Sequence, residues 1–373
     1  MSYSATIPTP DDKKPMRWAG NFARHLGQSL RDHRALLIVA AFTWVLAKVL
    51  NLYFGRTTGG GTGYYLTVIF RDILPVLGGA ALVIAVLKVV LFEKSESPLQ
   101  ALLTKFRGWF LDMSRLTNIL VVIAAMILGI GGFSELKPLI HFVNPYSWDV
   151  AFMELDRALH FGQDPWRLLD PIFGSETGTR TINFIYNFWF YIIFVFWVMA
   201  AWAKPETSKA ANTMPVKAEW GRQFTLAFML CWVIGGLFLA TLWSSMGPAF
   251  YDMVDPTNNP FDAQMAKLLA LDATNSLWAI DTQNMLRASY LTPGIGGPEG
   301  ISAMPSIHNA TAALFVFAGF RINRFTGWLM TLFSLCILIG SVHLAWHYAI
   351  DGYAGILIAW ACWWGAGRIL KYI

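Results

Sequence analysis

Charge is scarce in this chain: 14% of its 373 residues are Asp, Glu, Lys or Arg, whereas 55% are hydrophobic. A soluble domain of this length needs more polar surface, so the composition, with a mean hydropathy of +0.47, excludes a water-exposed globule and makes a membrane the natural solvent. Cysteine is scarce too. Cys231, Cys336 and Cys362 all fall inside long apolar runs, which excludes a disulfide framework stapling an outer loop. No internal repeat and no soluble domain can be discerned. The first apolar run is long and lacks a small-residue cleavage site, so the basic N-terminus reads as the flank of an anchor rather than a signal peptide. The net charge of +5 is distributed as a topology signal, and nothing in it calls for a nucleic-acid partner.

What the chain has is apolar length. Stretches of about twenty residues, enough to cross roughly 30 Å of hydrocarbon as a helix, occur at 35–54, 73–92, 116–133, 182–202, 222–245, 303–320, 325–344 and 348–369. The expected fold is an all-α polytopic membrane bundle of about eight helices. It divides into a basic N-terminal segment (1–34), accessory membrane helices (35–133), an outer interfacial segment (134–181) and a membrane core (182–373). An even number of spans puts both termini on one side. Lys13, Lys14, Arg17, Lys105, Arg107, Lys204, Lys209, Arg321, Arg324, Arg368 and Lys371 gather there, so that side is expected to be cytoplasmic. Two polar segments, about 134–181 and 246–302, lie opposite. In the first, Phe152, Leu155 and Leu159 follow helical spacing beside Glu154, Asp156 and Arg157, which predicts a helix at the interface with solvated carboxylates. The Gly- and Pro-rich run Thr292–Gly300 reads as a lid or a connector, and Gly59–Gly63 as slack chain.

The chemistry-bearing residues concentrate in the last third. Residues 304–308 read Met-Pro-Ser-Ile-His where the sixth span begins, with Pro305 suited to a first helical turn. A helix N-terminus there favours an anion, and Ser306 adds a hydroxyl donor. The seventh span returns the chain to the same side, where His343, His347 and Asp351 follow at intervals of one helical turn. Asp351 can hold one nitrogen of His347 as N–H and free the other. It is also the only carboxylate within the eight proposed spans, where a charge is costly enough to suggest function. Two imidazoles and one carboxylate suffice for in-line displacement at phosphorus, with one histidine attacking and the other protonating the leaving alkoxide. His343 can hydrogen-bond a phosphate, although supporting the site from behind is the more economical role. His141 and His160 lack spacing partners and read as surface residues.

These residues resemble the type 2 phosphatidic acid phosphatase superfamily, which includes lipid phosphate phosphatases and the inositol phosphorylceramide synthases. The resemblance covers about the last 125 residues: Pro305-Ser306-x-His308, then His347-x-x-x-Asp351, with Gly247-Pro248 through Tyr251 similar to a Gly-Pro-rich stretch of the synthases. It implies that His347 is the nucleophile, His308 the general acid and Asp351 the orienter. The family's Lys-x6-Arg-Pro motif is absent, and Gly340-Ser341 stands where the phosphatases carry Ser-Arg. Sphingolipid synthases also lack that arginine and carry a His-Tyr-x-x-Asp core like His347-Tyr348-x-x-Asp351, so the resemblance favours phosphotransfer from a lipid donor to a hydroxyl acceptor over plain hydrolysis. Another cation must then meet the phosphate, and Arg287, Arg157 and Arg180 are on the expected side. No cofactor or metal is called for. The compact loops lean toward a bacterial inner membrane with the site facing outward. A proton-coupled transporter is the rival from another class; against it, the polar groups gather at one interface rather than at the midplane.

Overall fold

A computed structural model describes residues 13–56, 60–93, 97–110, 112–203, 219–292 and 300–372. No strand occurs among them. Helix is the expected state, because a segment in hydrocarbon must satisfy its backbone N–H and C=O groups internally. In chain order the helices are α1 (Lys13–Asp32), α2 (Arg34–Tyr53), α3 (Gly60–Leu91), α4 (Pro98–Phe110), α5 (Met113–Leu136), α6 (Asp149–Leu159), α7 (Pro165–Phe173), α8 (Glu176–Trp202), α9 (Trp220–Leu242), α10 (Asp262–Thr274), α11 (Trp278–Leu291), α12 (Ile307–Ile322), α13 (Arg324–His343) and α14 (Ala349–Tyr372).

Among the described residues six helices are long and apolar enough to cross a membrane: α2, α3, α5 with its extension to Val143, α8, α9 and α13. The remaining two expected spans are α12 and α14. At 16 residues α12 is about 24 Å long, short of the roughly 30 Å hydrocarbon thickness. Its shortness has a local cause. The run expected to open a helix at 303 is irregular instead, bending at Met304 and Pro305, with Ala303 N–H donating to Ser245 O and Ser306 N–H to Asp351 O, each at 3.0 Å. Ser306 is the N-cap and Pro305 precedes it, so the proline does not occupy the first turn as its sequence context suggested.

The bundle is built around α12, which packs on α13 and α14 and is also met by α9 and α8. Ala310, Ala312, Ala313, Leu314, Phe315 and Ala318 are buried, which accounts for a helix apolar on nearly every face. A sharp reversal joins α12 to α13 through Asn323, whose side chain accepts from Thr326 N–H at 2.8 Å. Gly355 brings α14 against α12: a Cβ there would collide with the Ser306 carbonyl. Helices α2 and α5 form a second pair. The Lys48 ammonium of α2 pairs with Glu135 of α5 at 2.7 Å. Glu135 lies in the apolar stretch Met113–Val143, so Asp351 is not the sole carboxylate within a span. The Gly59–Gly63 run is not slack where it is described: it is helical from Gly60, and Gly61 allows α3 to touch the Gly131 backbone. Away from that contact α3 exposes Val76, Leu82, Val83 and Ile84, a surface suited to lipid.

The polar segments fold as a cap of α6, α7, α10 and α11. Two sequence expectations change here. Helix α6 does form, yet Leu155 and Leu159 are exposed while Asp149, Phe152, Met153 and Asp156 are buried. Asp156 and Asp164 are therefore not solvated charges. The connector between Thr292 and Gly300 lies mainly outside the described residues.

Candidate active site

Backbone hydrogen bonds alone already join the two histidine-bearing segments. The non-helical run before α12 meets the start of α14, where Ser306 N–H donates to Asp351 O. A third segment fills the wedge. Ala249 N–H donates to Ala345 O at 2.9 Å, and Gly247 adopts φ +90°, with room for a Cβ denied by Trp346 O at 2.9 Å and the Ala303 methyl at 3.0 Å. Glycine is thus required there on both conformational and steric grounds. The loop itself turns at Ala345, which has a positive φ of 59°, and returns so that His347 N–H donates to Ser341 O at 2.9 Å.

That return sets the side chains. Asp351 sits in the first turn of α14, where its Oδ2 accepts from Tyr348 N–H at 3.0 Å and lies 3.2 Å from His347 Nδ1. This contact assigns the proton to Nδ1 and leaves Nε2 as the basic nitrogen. The backbone of Ala303 also lies within hydrogen-bonding reach of the ring. Burial, aided by the positive charge of Lys137, holds the His347 pKa well below its ordinary value, so the ring is neutral.

His308, at the start of α12, lies flat against Trp189 of α8 at 3.9 Å between ring centroids, with Tyr186 stacked at 5.0 Å and Phe190 edge-on at 5.9 Å. Its imidazole has no hydrogen-bond partner among the described residues. It is close enough to His347 for the two rings to interact electrostatically. The cluster is recessed. His343, at the end of α13, meets Thr179 Oγ1 at 3.0 Å, whereas His308 meets residues seven to eleven positions further along α8, roughly 10–16 Å along the helix from Thr179.

The other candidates from the sequence lie around this pair or away from it. Ser306 is fully buried, and its Oγ accepts from Asn309 N–H at 3.4 Å and Asn309 Nδ2 at 3.0 Å. His343 faces Thr179 and Phe173, behind the loop. The three arginines are engaged elsewhere: Arg157 pairs with Asp164, Arg180 with Glu176 and the Leu271 and Asn275 carbonyls, and Arg287 with Asp252 and the Ala249 carbonyl. His160 is also engaged, at 2.9 Å from the Tyr353 hydroxyl.

Sequence reasoning missed two carboxylates that hold the loop. Asp149 accepts from Met246 N–H at 2.9 Å, Gly247 N–H at 2.8 Å and the Tyr348 hydroxyl at 2.9 Å, tying the glycine wedge to the His347 loop. Asp156 accepts from Ala349 N–H at 2.8 Å and Ile350 N–H at 3.1 Å, capping α14 from a different helix. Burial raises the pKa of both, to about 6 for Asp156, and the N–H donors oppose the rise. Their seven-residue spacing was the available signal, because it puts both on one face of α6. Lys137 was also missed. It stands in a short 3-10 turn after α5 and acts electrostatically on both His308 and His347. No group of three or more His, Cys, Asp or Glu among the described residues is arranged to hold a metal ion.

A family model described as the PAP2 superfamily matches residues 150–365, more than half of the chain and the whole stretch from α6 to the end of the His347 loop and most of α14. No curated protein and no solved structure matches the chain. With its helical membrane fold and that match, the chain belongs to the PAP2 superfamily.

Proposed function

We propose that this protein cleaves a phosphate ester of a membrane lipid by attack of His347 on phosphorus, and passes the phosphoryl-bearing group to a hydroxyl acceptor. The observation that carries this reading is the His347 Nδ1 to Asp351 Oδ2 contact at 3.2 Å, in a loop whose Asp351 carbonyl also anchors Ser306. With its proton on Nδ1, His347 presents Nε2 to the phosphorus. The bond from Nε2 to phosphorus forms as the bond from phosphorus to the leaving oxygen breaks, and protonated His308 gives its proton to that oxygen. In the second half His308 takes a proton from the incoming hydroxyl, which attacks the phosphohistidine and releases His347. Superfamily membership supports lipid-phosphatase-type chemistry. The preference for transfer over hydrolysis rests on Gly340-Ser341 in place of Ser-Arg and on the His347-Tyr348-x-x-Asp351 core.

The excess of lysine and arginine on the side of the termini supports an outward-facing site, and the compact loops support a bacterial inner membrane. The test is an assay of the detergent-purified protein on headgroup-labelled phospholipid and labelled lipid phosphate, with and without a long-chain alcohol acceptor. Acceptor-dependent transfer of the label is expected. Free phosphate released regardless of acceptor would assign a phosphatase instead. Full activity in both His347→Ala and His308→Ala would overturn the chemistry.

A further inference from the structure

We propose that Lys137, supplied by the segment that precedes the superfamily match, is the cation that receives the phosphate of the substrate; this rests on the phosphoryl-transfer reading above. The other cations of the cap are already satisfied: Arg157, Arg167, Arg180, Arg287 and Lys267 each have a carboxylate partner. Lys137 has no hydrogen-bond or ion-pair partner among the described residues, although it is only partly exposed. An ammonium withdrawn from water without a counter-charge is costly, so its retention implies a negative partner that arrives from outside the chain.

Its position says where that partner sits. The regular hydrogen bonding of α5 ends at Leu136, and Lys137-Pro138-Leu139 tightens into a 3-10 turn, as expected where proline removes a donor. This turn is pressed against the non-helical run that leads into the site. A Cβ on Gly300 would stand 2.7 Å from the Lys137 carbonyl oxygen and 2.8 Å from Pro138 N, so the two backbones meet only because residue 300 has no side chain. Three residues later Ala303 reaches His347, and five residues after that comes His308. Lys137 accordingly acts on both imidazoles, whereas Arg157, Arg180 and Arg287 are neutralised by Asp164, Glu176 and Asp252. An anion placed between the two imidazoles and one ammonium is positioned as a phosphate held for attack, with the lysine serving as a point charge in place of an arginine fork.

The test uses the full chain carrying His347→Ala, which cannot turn substrate over, with Lys137 intact or replaced by Met, Gln or Arg. Equilibrium binding of inorganic phosphate and of short-chain phosphatidic acid in detergent is measured at low and high salt. Lys137→Met is expected to weaken both ligands by at least about tenfold and to flatten the salt dependence, with Lys137→Arg recovering part of the loss and the melting temperature of the Met variant not lowered. Should the Met variant fail to melt cooperatively, the contrast between Lys137→Gln and Lys137→Arg carries the same expectation. Equal binding with and without the positive charge overturns the assignment of Lys137 alone. Loss confined to inorganic phosphate overturns its role toward a lipid substrate. Absence of binding while Lys137 is intact overturns the phosphoryl-transfer reading together with this one.

Discussion

At the scale of single residues, the proposed division of labour separates His308 from His347. His347 is fixed by Asp351 and by its own loop backbone, while His308 is held by ring stacking alone and keeps its nitrogens unengaged by any described residue. Stacking orients a ring without fixing its protons, which suits a group that must lose and regain one. If His308 protonates the leaving oxygen, its loss should matter less as that oxygen becomes a better leaving group. His308→Ala is expected to lose about a hundredfold or more on an alkyl phosphate ester, and markedly less on a nitrophenyl ester. Equal losses on both would assign His308 to binding. The sequence pointed to the pairing of His347 with Asp351 through a four-residue interval and a costly carboxylate, but His347 lies in the loop between α13 and α14, so the return of that loop and not a shared helical face brings the two together. The engagement of the arginines was not legible, since a count of cations cannot reveal that Arg157, Arg180 and Arg287 are occupied by Asp164, Glu176 and Asp252.

At the scale of elements, α6 clamps the His347 loop through its buried carboxylates. Asp156 accepts from two N–H groups of α14, with His160 at 3.7 Å and Asp351 nearby as the other titratable neighbours. Burial raises its pKa to about 6, above its value in an unfolded chain, so the folded protein favours the protonated form. That contribution to stability is full below about pH 4 and is lost as pH rises through about 6, a change on the order of 3 kcal/mol. Melting curves in detergent should show the parent losing stability relative to Asp156→Asn between those values; a difference independent of pH would contradict this role for Asp156. The contact between α12 and α14 makes a second demand. Gly355→Val would drive a side chain into the Ser306 carbonyl, and a loss of about 2 kcal/mol or more is expected, read as a lowered melting temperature. An unchanged melting temperature would mean that the helices separate freely there. The sequence hid both features for one physical reason: hydropathy reports which segments leave water, whereas caps and helix crossings depend on which distant backbone arrives. It also misplaced the start of α12, since the N–H groups of Ala303 and Ser306 are satisfied by other segments and need no helix.

At the scale of the whole molecule, the bundle was legible because uncharged stretches of the required length are hard to explain in any other solvent. The recess of the site was not. It follows from a short α12 under a cap of α6, α7, α10 and α11, and neither shortness nor capping alters composition. The superfamily match covers 150–365, while Lys137 lies before it in the turn that follows α5, so the proposed site draws on a segment outside the match. Bundle, cap and recess all bear on whether phosphorus becomes bonded to His347 during turnover. The most direct test is to quench the purified protein during reaction with a radiolabelled phosphate ester under alkaline conditions, where phosphohistidine survives, and to map the labelled peptide. Label on the peptide containing His347, absent from His347→Ala and slower to disappear in His308→Ala, is the expected result. Turnover without labelled protein, or label that persists in His347→Ala, would contradict it.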